Sequence, residues 1–219
     1  MKLFKHEIIQ IPKIVLDDSK YTHIYLTPDG KRLRSVTTMI NKTKSKEDKK
    51  KLDDWRKREG QQVADYIMTT SGNIGTQTHA LNENYVRMGN NCDNYSLLAQ
   101  AHHEKFIPYL NKIDIVYGIE AKLFSYTMAL AGTADLIALY DGKLSIIDYK
   151  TKRSKQKVEW ITDYFLQTTA YAKMWREITG QDIEQLVILV SSEQDTFQEF
   201  VSQPSIHLNE LEKRLEMFR

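Results

Sequence analysis

The chain has 219 residues and a mass of 25.6 kDa, with 31 basic and 29 acidic side chains and a net charge of +2. A composition 41% hydrophobic and 27% charged excludes a wholly disordered chain, and no apolar run approaches the ~20 residues of a membrane span. One cysteine, Cys92, excludes an internal disulfide and any four-cysteine zinc or iron–sulfur site, while the near-balanced charge leaves any nucleic-acid partner to a local basic surface.

The opening segment has neither a long apolar core nor a small-residue cleavage site, so no secretory signal is expected. Residues 7–16 and 21–26 read as strands, and Asp29-Gly30 as a turn that closes a hairpin. Ser35 or Thr37 is a helix cap. From Lys42 to Arg58 nine Lys/Arg stand against four Asp/Glu, the pattern of an exposed helix with i,i+4 pairs, which Trp55 would anchor to the core. Residues 60–70 and 75–88 read as two helices separated by Ser71-Gly72-Asn73, and 93–109 as another. Residues 113–126, 130–140 and 143–149 carry β-branched and aromatic residues at strand spacing. An amphipathic helix over 158–178 stops at Gly180. Strands over 186–191 and 197–201 and a helix over 207–218 complete the chain. This order predicts an α/β sandwich with a mixed sheet rather than a regular βαβ alternation.

The most informative segment is Ala131 to Lys150, AGTADLIALYDGKLSIIDYK. Asp141-Gly142 between two strand-like runs is a type I′ hairpin signal, and that turn fixes the register. Leu139 then faces Leu144, Ile137 faces Ile146 and Asp135 faces Asp148, with Lys150 on the same face. Directly opposed carboxylates repel unless a cation reconciles them. Mg²⁺ takes one or two carboxylates and keeps several waters, and the Lys150 ammonium would hold an attacking water or phosphate charge. The competing reading is a surface hairpin whose aspartates pair with lysines in solvent.

Gly132-Thr-Ala-Asp135, Asp148-Tyr-Lys150 and Gln167-x-x-x-Tyr171, preceded by Gly75-Thr-Gln-Thr-His79, together resemble the PD-(D/E)XK nuclease superfamily in its RecB-like branch. Within it the chain is similar to the mitochondrial genome maintenance exonuclease and its phage relatives. The resemblance spans residues 35–190 and includes Ser35-Val-Thr-Thr and the Lys-rich helix. It implies a restriction-endonuclease-like mixed sheet flanked by helices, with an N-terminal hairpin (1–34), a helical arch region bearing His79 (35–110) and a nuclease core (111–219) within one domain. It implies a metal held by Asp135, Asp148, His79 and the Tyr149 backbone carbonyl, with Lys150 as the catalytic lysine. Gln167 and Tyr171 would place the nucleic-acid backbone, beside Thr151, Lys152 and Arg153. The pattern departs from the superfamily name in having Ala134 where a proline is expected, and the single cysteine excludes the iron–sulfur cluster of some RecB-like members.

Glu120 is a further metal candidate. A turn at Thr127-Met128 would set it opposite Asp135, but that turn lacks Gly or Asn and fixes the register poorly. Glu83, one turn beyond His79, would orient its ring or stay solvated. His102-His103 reads as surface. The functional expectation is a Mg²⁺-dependent deoxyribonuclease, with Mn²⁺ able to substitute, acting as an exonuclease on single-stranded DNA ends. A flap or junction endonuclease of the same fold and a non-catalytic nucleic-acid-binding module are the alternatives. The protein is expected to be a monomer in the cytoplasm of a bacterium or phage-infected cell, with no membrane association.

Overall fold

The computed structural model describes residues 2–17, 23–88 and 94–219. A mixed nine-stranded sheet forms its centre, with helices on both faces. Cys92 and Asp93 lie outside the described residues.

The hairpin read from Asp141-Gly142 is present. Strands β6 (Leu130–Tyr140) and β7 (Lys143–Lys152) are antiparallel, pairing Leu139 with Leu144, Ile137 with Ile146 and Leu136 with Ile147. Both turn residues carry positive φ, 47° at Asp141 and 74° at Gly142, as a type I′ turn requires. Strand β5 (Ile113–Ser125) lies along the other edge of β6 for its whole length. β8 (Gln185–Ser192) adds parallel to β7, and β9 (Phe197–Ser202) antiparallel to β8. Every residue of β8 is buried, as expected of a strand covered on both faces.

The first third differs from the expected long strand over 7–16. Only β1 (Lys5–His6), paired with β5, and β2 (Val15–Asp17) are strands there. Between them the chain bonds to β5 irregularly, through the Glu7 and Ile9 amides. β3 (Ile24–Leu26) and β4 (Arg32–Ser35) form the hairpin expected around Asp29-Gly30. β4 then joins β6 in parallel at Leu130 and Ala131.

One face of the sheet is covered by α1 (Val36–Lys42), α5 (Thr162–Thr179) and α6 (Pro204–Phe218), whose Met39, Trp175 and Leu211 meet Ile137 and Ile146. Ser35 caps α1 through the Thr38 amide, and Gly180 ends α5 in the left-handed conformation. The other face is covered by α3 (Gln61–Val86) and α4 (Leu97–Leu110), with Phe106, Leu110 and Val86 against Tyr149 and Leu189.

α3 corrects a sequence expectation: it is one helix of 26 residues, continuous through Ser71-Gly72-Asn73. A helical glycine costs about 1 kcal/mol relative to alanine. The flanking turns of α3, packed on α4 and β7, outweigh that. α2 (Lys46–Glu59) is the exposed basic helix expected, with a Glu47–Lys51 i,i+4 pair at 2.8 Å. It buries no residue and packs on α3, so Trp55, half-buried, does not reach the core. Among the described residues no helix is long and apolar enough to cross a membrane.

Candidate active site

The site follows from how β6 shares one edge. β7 occupies that edge from Tyr140 back to Leu136, and β4 occupies it at Leu130 and Ala131. Between them the sheet forks, and Asp135 stands in the fork. No ladder pair joins it to Asp148. Instead the Tyr149 amide donates to Asp135 Oδ2 at 2.8 Å, so the carboxylate takes the place of a backbone acceptor as the strands part.

On the β5 side, Glu120 lies between the pairs Ile119–Leu136 and Ala121–Ala134, which sets it opposite Asp135. The four-residue turn 126–129 thus gives the register expected of a Thr127-Met128 centre. Glu120 has φ of 48°, a costly conformation for a residue with a side chain, of the kind stored at functional sites. His79 arrives from α3. Its Nε2 is 2.8 Å from the Tyr149 carbonyl, which can only accept, so Nε2 carries a proton. Nδ1 then points at Asp135 Oδ2, 3.5 Å away. These residues, with Glu83, line an open cleft of about 510 Å³.

The charges are unevenly distributed. Burial works against the His79 imidazolium, but Asp135 outweighs it and raises the His79 pKa. Burial likewise opposes ionisation of Asp135, yet His79, Lys150 and the Tyr149 amide hold its carboxyl below the usual range. Burial pushes Asp148 up to about 6, with Asp135 adding to the shift and Lys150 opposing it. Burial, then Asp135, pushes Glu120 up to about 7. Burial would lower Lys150, but Asp148 and Asp135 raise it, so it stays an ammonium.

Lys150 Nζ sits 2.6 Å from Asp148 Oδ2 and 5.0 Å from the centre of the Tyr164 ring, which also faces Lys152 Nζ at 5.2 Å. Asp148 is 2% exposed.

The residue set fits a divalent cation. Among the described residues, one ligand atom from each of His79, Glu120 and Asp135 can be chosen so that all lie within 4.8 Å of one another. With Nε2–H committed to a carbonyl, a neutral His79 would aim a lone pair at a carboxylate, an arrangement that needs a proton or a cation between them. Asp148 Oδ2 is buried and has the Lys150 ammonium 2.6 Å away as its partner. Two carboxylates and one imidazole form a donor set for a divalent cation.

Among the residues singled out from sequence, Asp135, His79 and Glu120 are brought together, and Asp148 and Lys150 form an adjoining ion pair. The Tyr149 carbonyl anchors His79 instead of standing free. Gln167 is half-buried and donates to the Tyr171 hydroxyl at 3.1 Å. Tyr171 itself is 3% exposed, with its ring laid over Gly132. It has little surface to offer a nucleic acid and supports β6 from beneath. Thr151 and Lys152 are half-buried and Arg153 exposed at the end of β7.

His102 and His103 are not on the surface. They are 2% and 6% exposed, because both look inward from α4: His102 bonds Ser191 at 2.8 Å and His103 bonds Asn82 at 2.7 Å. Tyr164 was not distinguished in the sequence from its core neighbours. Its position three residues before Gln167, on the helix that follows the D-x-K strand, is the signal that would have singled it out.

Residues 93–217, more than half of the chain, match the family model of the PD-(D/E)XK nuclease superfamily. No curated protein matches. Among solved structures, a protein from Eubacterium rectale described as a candidate exonuclease is similar at 14% identity and a TM-score of 0.47, over 68% of this chain. The chain spans 64% of that protein's length. The protein SSO0001 is similar at 14% identity and a TM-score of 0.29, over 67% of this chain and 73% of its own. The matched region contains the forked hairpin with Asp135, Asp148 and Lys150, and the chain belongs to the PD-(D/E)XK nuclease superfamily.

Proposed function

We propose that this nuclease is a Mg²⁺-dependent deoxyribonuclease, with Mn²⁺ able to substitute, acting as an exonuclease on single-stranded DNA ends. The observation that carries the reading is the convergence of His79, Glu120 and Asp135 in one cleft, with the buried Asp148–Lys150 pair beside it. His79, Glu120 and Asp135 would hold the cation, with Asp148 adjoining. The Tyr149 carbonyl fixes the His79 ring and its tautomer. A bound divalent cation supplies charge neutralisation at the scissile phosphate and a water of lowered pKa.

The chain's own groups do the rest. Lys150 keeps its proton on Nζ and presents it to a water or a phosphoryl oxygen, held in place by Asp148 and the Tyr164 ring. Lys152 ends the same strand and Arg153 follows it, where cationic side chains attract the phosphate backbone without reading bases. The order G-T-x-x-H, G-T-A-D, D-x-K and Q-x-x-x-Y supports a place in the RecB-like branch, near the mitochondrial genome maintenance exonuclease and its phage relatives.

The test is digestion of end-labelled linear and circular single strands with Mg²⁺. The reading expects nucleotides released from the linear strand and an intact circle. Cleavage of the circle assigns an endonuclease, and binding without cleavage in both Mg²⁺ and Mn²⁺ assigns a non-catalytic module.

A further inference from the structure

Between β7 and α5 the chain carries an exposed apolar pair that belongs neither to the carboxylate cleft nor to the core. Val158 and Trp160, in a single 3₁₀ turn over Val158–Trp160, are 62% and 57% exposed. Apolar residues scattered singly on a surface are ordinary. Here two lie together, and one is a tryptophan set among cations. From Lys152 to Trp160 there are four basic residues, Lys152, Arg153, Lys155 and Lys157, and one acid, Glu159. Lys157 Nζ stands 5.3 Å from the centre of the Trp160 ring, within cation–π range. That cation takes one face of the ring at most, and the exposure of the residue leaves surface for a second, flat partner.

The segment is held in place. The Gln198 side chain of β9 accepts from the Gln156 amide at 2.6 Å and donates to the Gln156 carbonyl at 2.9 Å, much as a neighbouring strand would. The Trp160 amide donates to the Lys157 carbonyl at 3.0 Å, and the next residue, Ile161, is fully buried in the core. The backbone beneath the ring is thus fixed, which lowers the ordering cost of binding. It also adjoins the active site. Trp160 precedes Tyr164 by four residues, at most about 14 Å of chain, the length of about four stacked nucleotides. The Tyr164 ring in turn faces Lys150 and Lys152 at 5.0 and 5.2 Å.

We propose that Trp160 is a stacking platform for an unpaired base of the substrate strand, with Lys155 and Lys157 on the flanking phosphates, which rests on the chain being a nuclease of single strands. Aromatic faces accept any base without reading it, while cations track the backbone. Four cations against one acid favour a polyanion over a protein surface. Bases inside a duplex are stacked on one another and offer no free face. Trp160 is therefore a positioning residue that favours the unpaired form.

The experiment measures strand affinity by fluorescence anisotropy at low salt in EDTA, so that no cleavage intervenes, with an oligothymidylate and an abasic strand of equal length. Trp160→Leu is expected to weaken oligothymidylate binding by roughly tenfold and to leave abasic binding unchanged, and Trp160→Phe to restore most of the loss. Trp160 is exposed, so these replacements leave folding intact, which melting curves check. In a Trp55→Phe background, tryptophan fluorescence should be quenched by oligothymidylate and not by the abasic strand, since Trp175 is fully buried. Equal oligothymidylate affinity in wild type and Trp160→Leu overturns the proposal, as does an equal loss for both strands, which would assign a phosphate or structural role. No binding of either strand by the wild type also overturns it. Wild-type affinity in Trp160→Leu together with loss of a dimer in sedimentation would assign the Val158–Trp160 face to a second copy of the chain. Base-dependent binding with no cleavage in Mg²⁺ or Mn²⁺ leaves the platform standing and counts against the nuclease reading, whereas cleavage with no base-dependent loss does the reverse.

Discussion

Gly132 provides a test in which the sign of the effect is informative. It opens the G-T-A-D segment, and the structure gives a packing reason for a glycine there. A Cβ added at Gly132 would lie 2.6 Å from Tyr171 Cε1, 2.9 Å from its hydroxyl and 3.1 Å from Cζ, against 3.5–4.0 Å for ordinary carbon contact. Tyr171 is 3% exposed and its hydroxyl is tied to Gln167, so the ring or the strand must move by about 1 Å. Without a clash, Gly→Ala in a strand would stabilise by roughly 0.5–1 kcal/mol. With it, overpacking costs about 1–3 kcal/mol. At this chain length that lowers Tm by roughly 2–12 °C.

The assay is thermal unfolding of Gly132→Ala, Tyr171→Ala and the double variant. Tyr171→Ala alone should cost about 3–5 kcal/mol by emptying a core site. Adding Gly132→Ala to it should then be neutral or stabilising, giving a coupling of at least about 1 kcal/mol. A higher Tm for Gly132→Ala in the wild-type background, or the same loss in both backgrounds, would show that the ring does not require the glycine. Turnover should fall with Tm, since Asp135 lies three residues along the same strand.

Asp148→Asn and Lys150→Ala are each expected to abolish cleavage while DNA binding persists; near-normal turnover by either purified variant would remove them from the machinery. EDTA should stop the reaction and Mg²⁺ restore it, and chelator-resistant activity would count against a metal mechanism. Asp148 and Glu120 titrate near 6 and 7 in the fold, above their ordinary 3.8 and 4.5. The folded protein therefore binds more protons than the unfolded chain between about pH 4 and 7. Metal-free stability from these groups is present at low pH and is lost as pH rises through 6 to 7. His79, raised, adds in the same direction, while Asp135, lowered, acts only below its ordinary value. Melting curves at pH 5 and 7.5 should show Mg²⁺ stabilising the protein mainly at the higher pH, and equal stabilisation at both would contradict the assignment. Gly72→Ala should raise stability by about 1 kcal/mol, because α3 is helical there and nothing lies within 4 Å of the added methyl. An unchanged Tm would point to a helix break.

The hairpin was legible in the sequence because its determinants are local. Asp141-Gly142 dictates the turn, the turn dictates the register, and a period of two places Asp135, Asp148 and Lys150 on one face. Gly180 and Ser35 likewise mark helix ends through single-residue chemistry. The continuity of α3 was not legible, since Gly72 reads as a break unless the packing of the flanking turns is known. Nor was the fork: that β4 takes over the edge of β6 at Ala131, forcing β7 away at Asp148, depends on a pairing about a hundred residues apart in sequence. The inward turn of His102 depended on α4 packing against β8. The sequence by itself determined which acidic and basic groups share a strand face. Only the tertiary structure decided that Glu120 and His79 meet Asp135 while Asp148 pairs with Lys150, because strand spacing is fixed by the covalent chain, whereas the approach of a distant helix and a third strand is fixed by burial of the two cores that carry them.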